Sequence, residues 1–343
     1  MVAVPAGRRE VVVVGASAGG VEALRTVARS LPADFPAAVL VVMHLSPGAR
    51  SALPLILDRA GPLPAYAAEH GAPLRPGVIH VAPPDHHLLI DDGSLVLTRG
   101  PTENGHRPAI NVTFRSAAVT AGPKAIGVIL SGTLDDGSVG LRSIVDRGGL
   151  AVVQDPADAL YASMPENALA LVNPECVLPA AEIGPALDKL VRRRAEDADA
   201  PQPSAALLLE DRIARDGVRL GAVVPGPDLP PSGYTCPDCR GALMEVGSAG
   251  RYRCRIGHAW SVEALLGAHD TEFERALWTA LRSLDEKTAL ARRLRQDSER
   301  RNHGMLANRY ATTARECAEA AETLRKFLFS LAAEQEPESQ APL

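Results

Sequence analysis

Between residues 10 and 190, short apolar runs alternate with stretches of helical period. Val11-Val12-Val13-Val14, Ala38 to Met43, Ala125 to Leu130 and Ala151 to Gln154 are apolar on both faces, as strands buried in a parallel sheet are. Val21 to Arg25, Ser51 to Arg59, Asn111 to Thr120, Gly137 to Val145 and residues 182–193 read as helices between and after them. Ala65 to His70 and Gly77 to Pro84 look like short strands, and Leu88 to Leu97 reads as a hairpin turning at Asp92-Gly93. Strand and helix alternating in this way predict an α/β fold, a doubly wound and mostly parallel sheet with helices on both faces.

The pattern then changes. Residues 194–232 lose periodicity and read as a Pro/Ala-rich linker holding one short amphipathic helix over Ser204 to Ile213, with a second stiff spacer over 221–232. Apolar positions return every three or four residues in the last third. Phe273, Leu277, Leu281, Leu284, Thr288, Ala291 and Leu294 form one stripe. Leu306, Tyr310, Thr313, Cys317, Ala320, Leu324, Phe327 and Leu331 form the other. With Asn302-His303-Gly304 as the break, this predicts an α-helical hairpin with a coiled-coil-like seam.

Three strand ends carry polar residues suited to chemistry. Val14 runs into Gly15-Ala16-Ser17-Ala18-Gly19, a G-x-S-x-G turn that pushes its serine out beyond the strand, ahead of a helix whose free amides favour negative charge. Met43 runs into His44, and Leu130 into Ser131-Gly132-Thr133-Leu134-Asp135-Asp136-Gly137. Ligands of open α/β sheets bind beyond the carboxyl ends of the strands, so a serine, a histidine and an aspartate can meet there. A hydroxyl nucleophile, an imidazole to take its proton and a carboxylate to orient the imidazole are what acyl transfer needs. Gly15, Ser17 and Gly20 also loosely mimic a dinucleotide-binding loop. That fingerprint wants an acid about 20 residues further on, where this chain has His44.

Composition narrows the class. At 343 residues two or three domains are expected, and a net charge of −5 gives no support for nucleic-acid binding. No signal-like region opens the chain and no run approaches a membrane span, so a cytoplasmic protein without membrane insertion is expected. Five cysteines suit a reducing compartment. Three of them, Cys236, Cys239 and Cys254, fall with His258 in a two-pair spacing that predicts one structural, four-coordinate zinc. A hairpin from Leu243 to Arg253, turning near 247–250, would bring the pairs together. A fold this small needs such a staple.

From about residue 9 to 190 the chain resembles the catalytic domain of the CheB-type chemotaxis protein-glutamate methylesterases. The resemblance is carried by Gly15 to Gly20, Met43-His44-Leu45, Arg75 to Pro83, His106-Arg107-Pro108, Val128 to Gly132 through Asp136-Gly137, Val153-Gln154-Asp155 and Ser163-Met164-Pro165. It implies hydrolysis of glutamate γ-methyl esters on methyl-accepting chemoreceptors or similar helical signalling proteins, often with deamidation of glutamines, and no cofactor for catalysis. It assigns the nucleophile to Ser17, the base to His44 and the orienting acid to Asp136 rather than to its neighbour Asp135. Ala18 stands where that family usually has threonine, Thr133-Leu134 where Met-Gly is typical, and Asn111 where aspartate is common. The first two flank the expected oxyanion hole. The phosphorylatable receiver domain usual at that family's N-terminus is expected to be missing, as ten residues precede Val11.

His86 and His87 are expected in a loop near the cleft, either against substrate or without a role. His70, His80 and His106 are expected to be structural, and Met164-Pro165 to shape the crevice wall. The expected organisation is an α/β catalytic domain over 1–193, the linker over 194–232, a zinc module over 233–268, the helical hairpin over 269–335 and a disordered tail over 336–343. The linker should leave the zinc module uncoupled from the catalytic domain. The leading functional expectation is a serine esterase. The alternative is a signalling adaptor that keeps the fold and binds partners through its C-terminal module.

Overall fold

Four consecutive valines make the central strand of the molecule, because each face of the sheet around them is covered by helices. The computed structural model describes residues 8–48, 51–195, 201–216, 231–246 and 250–335. In chain order its first half contains β1 (Val11–Ala16), α1 (Gly20–Ser30), β2 (Ala38–Met43), α2 (Leu53–Ala60), β3 (Ala65–Ala67), β4 (Ile79–Val81), β5 (His87–Asp91) and β6 (Ser94–Thr98). There follow α3 (Ile110–Thr120), β7 (Ala125–Ile129), α4 (Ser138–Asp146), β8 (Leu150–Gln154), α5 (Ser163–Leu171), β9 (Cys176–Leu178) and α6 (Ala180–Arg192).

Seven of these strands form one sheet in the order β3-β4-β2-β1-β7-β8-β9, and every pairing in it is parallel. Successive side chains of β1 point to opposite faces. Val12 and Val14 join one core with Leu24 and Val27 of α1 and Ile183 and Leu187 of α6. Val11 and Val13 join the other, with Ile110 and Phe114 of α3 and Leu141 and Ile144 of α4. The expected doubly wound sheet is therefore present, with all seven strands parallel. The hairpin forms as a separate β5–β6 pair around Asp92-Gly93, whose φ values of 41° and 72° suit a tight hairpin turn. β9, three residues long at the sheet edge, carries no readable sequence period.

The chain divides into two compact units, residues 1–265 and 266–343. The first also contains α7 (Ala205–Asp216), β10 (Pro231–Thr235), β11 (Ala242–Glu245), β12 (Arg251–Cys254) and β13 (Ala259–Ser261), the last four forming an antiparallel sheet. Within the expected linker, α7 lies against the catalytic core. Ala214 is buried with Leu89, Ala109 and Val112, and Thr98 Oγ1 donates to the Ala214 carbonyl at 2.7 Å. Residues 217–230, holding most of the expected second spacer, lie outside the described residues, as do 247–249 of the expected turn and the tail 336–343.

The second unit is built from α8 (Val262–Arg300), whose first four residues belong to the first unit, and α9 (Gly304–Gln335), separated near Asn302 as expected. The seam of α9 differs from expectation at three of its eight positions. Tyr310, Thr313, Cys317, Leu324 and Leu331 are sheltered, but Leu306, Ala320 and Phe327 are exposed, and Ala307, Ala314, Ala321 and Leu328 are buried instead. Adjacent stripes on a helix both repeat every seven residues. Here the alanine stripe faces inward because small side chains let the two backbones approach.

Candidate active site

β1, β2 and β7 are neighbours, with β1 between the other two, so the residues that follow them are gathered over one crevice at the carboxyl edge. Ser17 sits in the turn from β1 to α1, where its amide donates to the Ser131 carbonyl at 3.0 Å and Gly19 adopts φ 71°. His44 caps β2 and Asp136 lies after β7. His44 Nε2 is 2.7 Å from Asp136 Oδ2, and His44 Nδ1 is 3.0 Å from Ser17 Oγ. An ionised carboxylate only accepts, so Nε2 carries the ring proton and Nδ1 presents its lone pair to the Ser17 hydroxyl. The sequence-selected serine, histidine and aspartate thus stand in one hydrogen-bonded line.

Asp136 also accepts the Ile110 amide at 2.7 Å and the Asn111 amide at 3.2 Å, both from the first turn of α3. Burial alone would raise its pKa. The His44 hydrogen bond, the imidazole's charge and the α3 amides outweigh it and hold the carboxyl at about 2. Asn111 also uses Oδ1 to accept the Gly140 amide at 2.7 Å, which ties α3 to α4. Neighbouring Asp135 bonds Ser261 and Asn104. It accepts Ser261 Oγ at 2.7 Å, and burial, with the charges of Asp136 and Glu263, pushes it up to about 6 against the Ser261 bond.

His106 was expected to be structural, yet its ring stacks on that of His44 with centroids 3.7 Å apart and planes 7° from parallel. Burial and the neighbouring His44 hold its pKa down near 4, Asp136 opposing, so the stacked ring is neutral at neutral pH. Only the His-Arg-Pro motif marked it in the sequence. His87 is fully buried at the start of β5 rather than in a loop. Its Nε2 donates to the Pro101 carbonyl at 2.9 Å, and its Nδ1 accepts the Ala109 amide at 3.2 Å. His86 is half-buried against the Pro84 carbonyl at 3.1 Å, while His80 and His70 each accept a backbone amide, from Arg75 and Leu97. Met164 is buried beside Gly132, where an added Cβ would meet Met164 Sδ at 2.1 Å and Ser17 Cβ at 2.9 Å.

The Cys/His cluster closes as the spacing suggests. One ligand atom each from Cys236, Cys239, Cys254 and His258 lies within 4.8 Å of every other. Cys236 Sγ to His258 Nδ1 is 3.7 Å, Cys239 Sγ to Cys254 Sγ 3.6 Å and Cys254 Sγ to His258 Nδ1 3.5 Å. A tetrahedron with metal–sulfur bonds of ~2.3 Å has edges of about 3.8 Å. The four side chains therefore fit a four-coordinate divalent metal.

This module is not uncoupled from the α/β domain. Arg253 of β12 pairs with Glu210 of α7 and lies 3.4 Å from Glu103, which in turn accepts Arg115 of α3 at 2.5 Å. All four side chains are buried. Burial alone would make Glu103 hold its proton, but the Arg115 and Arg253 charges keep it ionised, at about 2. A linker's length limits only the cost of bringing two units together. A paired, buried charge network decides whether they stay.

Comparison with known proteins agrees with the site. Residues 12–187 match the family model described as CheB methylesterase. A protein-glutamate methylesterase/protein-glutamine glutaminase of Nocardioides sp. is 38% identical over 207 residues, 59% of this chain and 56% of its own length. One of Anaeromyxobacter dehalogenans is 41% identical over 187 residues, 54% of this chain and 55% of its own. The chain thus spans about half the length of these curated relatives. The crystal structure of the Thermotoga maritima CheB methylesterase catalytic domain superposes with a TM-score of 0.51 at 33% identity, covering 53% of this chain and 98% of that one. With its sheet, its serine turn and half its length matched in this way, the chain belongs to the CheB methylesterase family.

Proposed function

We propose that this protein is a serine hydrolase that removes γ-methyl esters from glutamates of chemoreceptors, and deamidates glutamines there, through an acyl-enzyme on Ser17. The observation that carries the reading is the line from Ser17 to His44 to Asp136, with bonds of 3.0 and 2.7 Å, at the ends of three adjacent strands. Ser17 Oγ attacks the ester carbonyl as its proton passes to His44 Nδ1. The same proton then goes to the methoxy oxygen, and methanol leaves. For glutamine the leaving group is ammonia. His44 next takes a proton from a water whose oxygen attacks the acyl carbon, and returns it to Ser17 Oγ as that oxygen leaves, freeing the glutamate. Asp136 keeps Nε2 protonated throughout and stabilises the imidazolium.

An oxyanion needs backbone donors, and Ala18 and Thr133 supply candidates, since among the described residues neither amide has an acceptor. Because the donors are backbone groups, the departures in side chain at these positions leave them available. Methanol release from methylated receptor by the purified chain, with labelling of Ser17 by a fluorophosphonate, tests the reading. A folded chain that releases no methanol and takes no label would leave an adaptor role instead.

Two further parts of the reading concern the second half of the chain. Cys236, Cys239, Cys254 and His258 hold one structural zinc, as the tetrahedral fit and the Cys-x-x-Cys spacing support. No catalysis is assigned there, because four protein ligands leave no open position. The helical unit beyond residue 265 docks on the helical bundle of the receptor, and Trp278, Leu290 and Phe329, exposed apolar residues on it, support this. Removing that unit should raise apparent KM on intact receptor and leave a small ester unaffected. Reduced cysteines suit a cytoplasmic setting, and no helix of the described residues is long and apolar enough to cross a membrane.

A further inference from the structure

One segment, residues 101–111, touches both the serine site and the Cys/His module. At its far end it presents His106 to His44 and the Ile110 and Asn111 amides to Asp136. His87 braces it from below, bonding Pro101 at one end and Ala109 at the other. Its middle is held partly by the α/β domain, through Asp85 on Arg107 and Arg115 of α3 on Glu103, and otherwise by the module. Thr102 Oγ1 donates to Asp238 Oδ2, inside the Cys236–Cys239 knuckle, at 2.7 Å. Glu103 lies between Arg115 and Arg253. The Asn104 amide donates to the Ala259 carbonyl at 2.8 Å, and the Ala259 amide to the Thr102 carbonyl at 3.2 Å. Asn104 Oδ1 accepts the Ser261 amide at 2.9 Å, and the tip of the Trp260 indole lies against Gly105.

A second strap reaches the other side of the triad. Ser261 Oγ donates to Asp135, the residue next to Asp136. Asn167 of α5 donates to both the Leu134 carbonyl at 3.1 Å and Glu263 Oε2 at 2.9 Å. The module therefore grips the strand-end loop that carries Asp136 as well as the segment whose amides orient it.

We infer that the Cys/His module is a positioning element for the serine site, holding residues 101–111 and the Asp135 loop so that His106 and the α3 amides keep His44 and Asp136 in register, with Ser261 as its key positioning residue. The inference rests on the esterase reading above. Catalysis falls steeply when reacting groups drift by about an ångström, and a segment without a core of its own depends on such external bonds for its order. The metal, by folding the module, then becomes a requirement for turnover although it lies outside the chemistry.

The test uses the full chain and a small methyl ester, so that receptor docking plays no part. Stripping the metal with a chelator should lower kcat by about ten- to a hundredfold. Hydrogen exchange should show protection lost over 101–111 and retained in β1 and β7. Because chelation can unfold more than the module, Ser261→Ala provides the second arm. It should keep one metal per chain by elemental analysis, lower kcat about tenfold with KM unchanged, and recover in Ser261→Thr. Metal-stripped chain and Ser261→Ala that both keep kcat within twofold of the native value, with protection at 101–111 intact, overturn the inference. A metal-loaded native chain that is inert on the ester fails the esterase reading instead.

Discussion

Asp136→Asn is the sharpest probe of how the site is wired. The substitution keeps shape and volume but leaves one acceptor where the carboxylate offered two. Three donors converge there, His44 Nε2 and the Ile110 and Asn111 amides. Oδ2 takes both His44 Nε2 and the Ile110 amide while Oδ1 takes the Asn111 amide, so an NH2 group at the Oδ2 position faces His44 Nε2 and forces the ring proton onto Nδ1. That is the nitrogen which has to accept from Ser17. Inverting the tautomer in a comparable serine protease triad costs ~10⁴ in kcat, or about 5 kcal/mol of barrier. The same change acts on stability. The carboxyl sits at about 2 in the folded chain against 3.8 unperturbed, a difference of about 2 kcal/mol. Because the folded pKa is the lower one, this contribution is complete above about pH 4 and is lost as pH falls toward 2. The variant should therefore melt ~4–8 °C lower at pH 7, and the gap should close near pH 2. Methanol release and thermal unfolding measured on the same samples check both halves. A folded variant with kcat within about a hundredfold of native would refute the tautomer argument.

Ser17→Ala and His44→Ala should each abolish turnover of a methyl ester, with the double variant no slower than either, because the residues act as one unit; additive losses in a steady-state assay would count against it. Asp135 behaves oppositely to its neighbour. Its folded pKa of about 6 lies above the ordinary 3.8, so ionisation costs stability as pH rises through that window. Asp135→Asn should thus raise Tm at pH 8, lose the gain below about pH 4, and leave kcat within about threefold; a large kcat loss would move the orienting role to Asp135. Gly132→Ala places a methyl against Met164 and Ser17 Cβ, and should lower kcat about tenfold or more by displacing the nucleophile, seen as slower fluorophosphonate labelling. Elemental analysis should find one zinc per chain, and less than about half an equivalent would remove the metal from the module.

The amino-acid sequence was sufficient for everything set by local period and spacing. Apolar runs long enough to be buried on both faces specify β1, β2, β7 and β8, and glycine with small residues after Val14 specifies the turn that exposes Ser17. His44 and the Asp135-Asp136 pair follow their strands directly, so their convergence needs only the general geometry of parallel sheets. The Cys-x-x-Cys and Cys-x-x-x-His pairs are local too, and close with the hairpin between them.

What the sequence could not carry depends on contacts between residues far apart along the chain. Strand position alone left Asp135 and Asp136 equivalent, and only the resemblance chose between them; the physical choice is made by the α3 amides, which bind Asp136 at sequence separations of 26 and 25. His106 reaches His44 only because residues 101–111 fold back over the crevice, a path without hydrophobic period. The inward stripe of α9 was ambiguous by one residue, since periodicity repeats equally for both stripes and only packing against α8 selects the alanines. The attachment of the module was hidden most completely. Glu103, Arg115, Glu210 and Arg253 read as ordinary surface charges when taken singly, because solvated charges are the rule along a sequence. Only when the tertiary structure buries all four together does the cost of desolvation make their pairing obligatory, and join the two halves of residues 1–265.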